Sequence, residues 1–242
     1  MKLLKAEAIK LYSVRTTWSM LGIGLLIEAL FAGLYVGLVN LDDVGPIREV
    51  QTGTGMLMVL ILVLGVLMIT NEFRHGTAST TFLVTPQRYP VLIAKLGAAL
   101  GLGALAGLAY VAVNAGLALP LFESREGTLP ATSQIVEVYA GVVASFALLA
   151  AFGLGIGAIV RNQVGAIIAA LAFFFILSTL PELIPGDIGD YFPAQAVGSL
   201  HGLPEATESG LGQVAGGLVL AAWSGALVLL GTLLTARRDL SE

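Results

Sequence analysis

Six stretches of the chain are apolar almost without interruption: Trp18–Val39, Thr54–Thr70, Ala94–Phe122, Val138–Val160, Val164–Leu180 and Leu211–Ala236. About 20 apolar residues carry a helix across roughly 30 Å of hydrocarbon. The second and fifth stretches fall a little short of that length; the third and sixth are long enough to tilt. Within lipid the backbone must satisfy its own hydrogen bonds, as a helix or as a closed barrel. The runs are continuous and lack the alternation of barrel strands. The pattern therefore predicts an all-α, polytopic membrane protein with six transmembrane helices. Only Arg161, Asn162 and Gln163 separate the fourth and fifth stretches, a tight turn that makes them antiparallel neighbours.

The segments between these runs have their own patterns. In residues 1–17, Leu3, Leu4, Leu11, Val14 and Trp18 share one face of a helical wheel; Lys2, Lys5, Lys10, Ser13 and Thr16 lie opposite. Glu7 and Ile9 break the pattern. Two readings stand: an interfacial amphipathic helix leading into the membrane domain of residues 18–242, or a basic flank that sets topology. Residues 71–93 form the one substantial loop on the same side. Gly76 suits a left-handed stop to the second span, Thr77, Ser79 and Thr80 suit caps for a short helix ended by Pro86, and Pro90 suits the first turn of the third span. That is more chain than a return crossing needs, and it predicts a docking surface. Residues 181–210 are acidic and proline-rich around Tyr191–Val197, a mixture that predicts short helices re-entering the membrane before the last span.

Composition sharpens the picture. Of 242 residues, 57% are hydrophobic and 12% charged, about half the charge that wets a soluble domain. Lys2, Lys5, Lys10, Arg15, Arg74, Arg88, Lys95, Arg161, Arg237 and Arg238 fall on one side of a six-span arrangement. Only Arg48 and Arg125 of the 12 lysines and arginines fall on the other. The positive-inside rule then places both termini in the cytoplasm. The first run is too long for the apolar core of a signal peptide and has no small-x-small cleavage site, so it reads as a retained span. The net charge of -4 and the lack of a basic stripe argue against nucleic acid as a partner. The absence of cysteine excludes disulfides and thiol catalysis, and His75 and His201 are too far apart in sequence to suggest a metal site.

Two features inside the runs carry chemistry or packing. Small residues recur at helical spacing (Gly33/Gly37, Gly97/Gly101, Gly103/Gly107, Gly153/Gly157, Gly212/Gly216), which lets helices approach closely within one subunit or between two. Glu28 is the one carboxylate deep in a span. A charge there costs roughly 2.5–3.5 kcal/mol, with Asn114, Ser145 or Ser178 as candidate partners. It is either a group that contacts substrate or a proton, or a neutral acid bonding a neighbouring helix.

The loop also carries a resemblance. Asn71-Glu72-Phe73-Arg74-His75-Gly76-Thr77, then Phe82-Leu83-Val84-Thr85-Pro86-Gln87-Arg88 and Ala94-Lys95-Leu96, resemble the E-x-R-x-G-T…L-x-T-P…R…A-K-L pattern of ABC-2 type exporter permeases of the actinobacterial sort. Tyr191-Phe192-Pro193 and Arg237-Arg238-Asp239-Leu240 fit the same family; the short second span departs from it. The resemblance implies a permease of the bacterial plasma membrane that pairs with a second permease half, as homodimer or heterodimer, and with two copies of a nucleotide-binding subunit. It implies no enzyme activity or cofactor in this chain, with ATP and Mg on the partner. The chain itself has no G-x-x-x-x-G-K-[ST] loop to hold phosphates. By the same resemblance Glu72, Arg74, His75, Gly76, Thr77 and Arg88 lie in the coupling region, and the first, second and fifth spans line the substrate path, with Glu28 on the first. Phe173, Phe174 and Phe175 would make that path apolar, suited to a lipophilic drug, peptide or lipid-like cargo. Rival readings are a secondary carrier or channel and a non-transporting immunity or scaffold subunit. A membrane-embedded enzyme is disfavoured, because the sequence places no histidine where it could activate Ser145 or Ser178.

Overall fold

A computed structural model describes residues 2–38, 54–76, 88–124, 131–179, 187–202 and 211–237. It is all-helical, with no strand among the described residues. The chain enters through α1 (Lys2–Ser13), breaks at Val14 and continues as α2 (Arg15–Leu38). Ser13 bonds back to the carbonyl of Ile9 at 2.8 Å, a local bond that competes with helix continuation. The corner is clasped by Trp18, which donates to the carbonyl of Tyr12 at 2.9 Å while the two rings meet edge to face. The first long helix thus begins at Arg15, three residues before the apolar run.

Next come α3 (Thr54–Arg74), α4 (Arg88–Val113), a π-helical turn (Asn114–Ala118) and α5 (Leu119–Ser124). They are followed by α6 (Thr132–Val160), α7 (Gln163–Thr179), a 3-10 turn (Asp187–Tyr191), α8 (Pro193–Leu200) and α9 (Gln213–Arg237). Among the described residues, five stretches are long and apolar enough to cross a membrane: Arg15–Tyr35, Gly55–Arg74, Pro90–Ser124, Thr132–Val160 and Gln213–Thr235. The sixth expected span corresponds to α7, which is apolar but has only 17 residues, about 26 Å of helix. Ile23, Leu26, Leu30, Val214, Leu218 and Leu229 are exposed on the outside. An apolar exterior of this kind suits a multi-pass membrane protein, because only lipid accepts it without penalty.

Helix α6 is the axis of the bundle. Its apolar stretch is 72% buried, against 17% for α9 and 28% for α2, and α3, α4 and α9 all pack along it. The approach is close because glycine faces backbone. A side chain on Gly153 would run into the carbonyl of Leu62, one on Gly65 into that of Ala150, and one on Gly103 into Phe146. Gly155 meets the backbone of Leu227 on the α9 side. Of the spaced glycines, Gly103, Gly107, Gly153, Gly157 and Gly216 sit in such contacts; Gly33, Gly101 and Gly212 face open space, and Gly97 meets only Leu4. Gly37 lies where side-chain surroundings are not described.

The turn Arg161–Gln163 is as tight as expected. Arg161 takes a left-handed conformation (φ 59°) that ends α6, and Asn162 caps α7 by accepting from the Gly165 amide at 2.8 Å. The short helix predicted between Thr77 and Pro86 lies outside the described residues, as does Thr77. Of residues 181–210, the described part holds the 3-10 turn and α8, with Pro193 in the first turn of α8. This element packs on α6, α7 and α9, and Trp223 of α9 donates to the Tyr191 carbonyl at 2.8 Å.

The α3–α6 seam yields a test. Gly153→Val should destabilise the protein by about 1–3 kcal/mol or more, since backbone must move to admit the side chain. Gly33→Ala, at open space, should leave stability unchanged or slightly raised. Thermal unfolding in detergent micelles compares the two; equal melting would show that α6 does not pack through its glycines.

Candidate functional site

Four charged side chains from three helices meet at the end of the bundle where the chain enters. Lys95, in the second turn of α4's apolar run, places its ammonium 2.8 Å from Glu7 Oε2 and 2.7 Å from Glu72 Oε1. Lys10 lies 2.8 Å from the other Glu7 oxygen and 2.8 Å from Glu72 Oε1. Each lysine bridges both glutamates, so two positive charges offset two negative ones. The exposures rank the members: 2% for the Lys95 side chain, 7% for Glu7, 13% for Glu72 and 47% for Lys10. Burial alone would lower the Lys10 pKa, but the bonds and charges of Glu7 and Glu72 outweigh it and raise the value. Lys10 therefore stays an ammonium throughout the physiological range.

This arrangement explains Glu7. On the wheel it interrupts a basic and apolar helix; in the fold it is the acid that pins α1 against α4. Glu72 does the same from the last turn of α3. The wall beside the cluster is extended by two further contacts. Arg74 donates to Gln163 at 2.9 Å, joining the end of α3 to the start of α7. The guanidinium of Arg161 lies over the ring of Phe73 at 5.3 Å from its centroid, a cation–π contact. Gly76 has a left-handed backbone (φ 67°) and ends the α3 turn, as expected. His75 closes the same turn, with Nδ1 2.8 Å from the Asn71 carbonyl. Arg88 opens α4; its side chain lies outside what is described.

Between α1, the start of α2 and the end of α3 lies an open groove of about 650 Å³. Leu11, Val14, Leu64, Leu67 and Met68 line its apolar wall; Lys10, Glu72, Arg74 and His75 stand at its polar side. Lys10 and Glu72 are held in ion pairs, Arg74 in its bond to Gln163, and His75 against the Asn71 carbonyl. Sequence reasoning named Glu72, Arg74, His75 and Gly76 here but missed Glu7, Lys10, Lys95 and Gln163 as partners. The Glu7–Lys10 spacing of three residues was the legible signal.

The other candidate residues are not part of this groove. Glu28 lies on α2 with 0% exposure and faces Asn114 on the π turn, so of its three candidate partners only Asn114 stands beside it. Ser178 bonds the carbonyl of Phe175. Phe174 is buried against Phe152, Phe173 lies between Phe152 and Trp223, and Phe175 is 51% exposed. The structure thus does not bring Glu28 and the three phenylalanines together. One expectation is corrected outright: a histidine does reach Ser145. His201, 2% exposed at the end of α8, places Nε2 2.8 Å from Ser145 Oγ, across 56 residues that no local pattern connects. The pair is sealed between α8 and α6, where a side chain on Gly141 would collide with the carbonyl of Leu200, and it reads as a bond that pins α8 in place. No protein-family model matches the chain, and no curated protein matches it.

Lys95→Met should destabilise the protein by about 3–5 kcal/mol, because Glu7 keeps a buried charge with less to offset it. Glu7→Gln combined with Lys95→Met should recover much of the loss, leaving Lys10 and Glu72 as a pair. Lys10→Ala, at a half-exposed position, should cost only about 0–1 kcal/mol. Melting temperatures in micelles, with protease cleavage of α1 as a second readout, check this order; a harmless Lys95→Met would mean that the cluster is incidental.

Proposed function

We propose that the chain is the permease subunit of an ATP-driven exporter of the ABC-2 type, a six-span protein of the bacterial plasma membrane with both termini in the cytoplasm. The observation that carries this reading is the ion-paired elbow of α1, the end of α3 and the start of α4. An interfacial helix bonded to the ends of two spans, beside the loop that carries the family pattern, is a rigid lever on which a motor can push. A separate nucleotide-binding chain, present twice and holding ATP and Mg, would dock there and transmit its closure to the bundle. A second permease half would complete the translocation path.

Two further observations support the topology. The contacts of Lys10, Arg74, Lys95 and Arg161 gather at one end of the bundle, as the positive-inside assignment requires. His201 stands beside Ser145, near the middle of the 29-residue α6. The chain that leaves Gln163 as α7 thus comes back to mid-depth of the bundle at the end of α8, which supports α8 as a re-entrant element and suits α7 as a sixth crossing. A lipophilic cargo rests on the apolar character of the spans, with the exposed Phe175 as a candidate contact.

The reading is tested by purifying the chain from native membranes and reconstituting it with the ATPase that accompanies it. Glu72→Lys puts a third cation into the cluster and should reduce the permease's stimulation of that ATPase by about tenfold, the scale of a coupling free energy of 1–3 kcal/mol. Glu72→Gln should have a smaller effect. Unchanged stimulation and transport in a folded Glu72→Lys protein would remove the elbow from the mechanism, and cargo movement without any nucleotide-consuming partner would overturn the exporter itself.

A further inference from the structure

We propose that Glu28 is a proton-binding site, closed between α2 and the π turn that follows α4, and emptied when those helices part. Glu28 is fully buried, and among the described residues neither of its carboxyl oxygens makes a hydrogen bond. It faces Asn114, the first residue of the π turn. Tyr139 of α6 donates to Asn114 Oδ1 at 2.7 Å, and Asn114 Nδ2 donates to the Tyr110 hydroxyl at 3.3 Å. A carboxyl group is thereby set against a ring of polar groups from three helices, none of which carries a positive charge.

The electrostatic surroundings decide what the site can hold. Tyr110 and Tyr139 are the titratable groups beside Glu28. Helix α2 also packs on α1, α3 and α5. The charged groups described on α1, α3 and α4 are Lys5, Glu7, Lys10, Glu72, Arg74 and Lys95; Glu7, Lys10, Glu72 and Lys95 are joined in the cluster at the entry end, while Lys5 and Arg74 are exposed there. On α5, Glu123 is exposed. No described cation is placed to offset a carboxylate at Glu28, and an isolated charge in a span costs roughly 2.5–3.5 kcal/mol. With a proton the group is neutral and becomes a donor, and Asn114 Oδ1 keeps a second lone pair after accepting from Tyr139. The closed seam therefore holds the acid form.

The π turn supplies the moving part. A single π-helical turn interrupts the regular ladder of a helix and recurs at functional sites. This one packs against α2, at the seam that covers Glu28. When water enters the opened seam it solvates the carboxylate and accepts the proton; closure takes one up again. The site stands independently of the exporter reading, since it would serve a proton-coupled carrier equally well.

The test uses the full chain in vesicles of phosphatidylcholine and phosphatidylglycerol. Dicyclohexylcarbodiimide, which reacts with protonated carboxyl groups in apolar surroundings, should label Glu28, as mapped by mass spectrometry. On the alkaline side labelling should fall about tenfold per pH unit, as for a single titrating acid. The Glu28→Gln protein should not be labelled there and should melt like the parent. Absence of labelling at every pH would overturn the proposal. So would labelling that ignores pH, which marks a permanently neutral structural acid, or protection by sodium ions at constant pH, which marks a metal-cation site.

Discussion

A helix enclosed by three others has room for their backbones only where its own side chains are absent. That constraint organises this protein around α6. Gly153 and Gly155 of α6 meet the backbones of Leu62 of α3 and Leu227 of α9, and at the α4 seam Gly103 of α4 meets the carbonyl of Phe146 of α6. Dispersion between closely approaching backbones replaces the hydrophobic drive that lipid cannot supply. The glycines that meet nothing, such as Gly33 and Gly101, lie on surfaces turned away from the axis. The same spacing motif thus has two fates, and the position of the neighbouring helix decides which.

Against this packed frame the entry end follows a different logic. Lys95 is nearly as buried as the core leucines, and its charge is tolerable only because Glu7 and Glu72 reach it at 2.8 and 2.7 Å. A buried ion group of this kind is weak as a source of stability but strong as a constraint on geometry, since each member fixes the position of the others. Here the constraint ties α1 to the end of α3 and the start of α4. The proposed docking of a motor subunit at this end uses that stiffness.

Much of the architecture was legible in the residues, and the limits were physical. The long runs announced the helices, Gly76 and Arg161–Gln163 announced the ends of α3 and α6, and the small-residue spacing announced close packing. What could not be read were contacts between segments far apart in the chain. Glu7 looked like a flaw in an amphipathic pattern because its partner stands 88 residues away. His201 looked too distant to matter to Ser145, and Phe173 and Phe174 looked available for cargo until Phe152 and Trp223 were found against them. The break of α1 at Val14, ahead of the apolar boundary, reflects a local competition between Ser13 and the helix ladder.

By itself, then, the order of residues determined that the chain is helical, apolar and charged mainly at one set of ends, because each of these follows from short-range periodicity and from solvation of single segments. Only the tertiary structure decided which glycines bear backbone contacts, which acids hold Lys95, and that Glu28 meets the π turn instead of the phenylalanines of α7. Those outcomes depend on how helices rotate about their own axes when they pack, and a hydropathy pattern that is apolar on every side leaves that rotation undetermined.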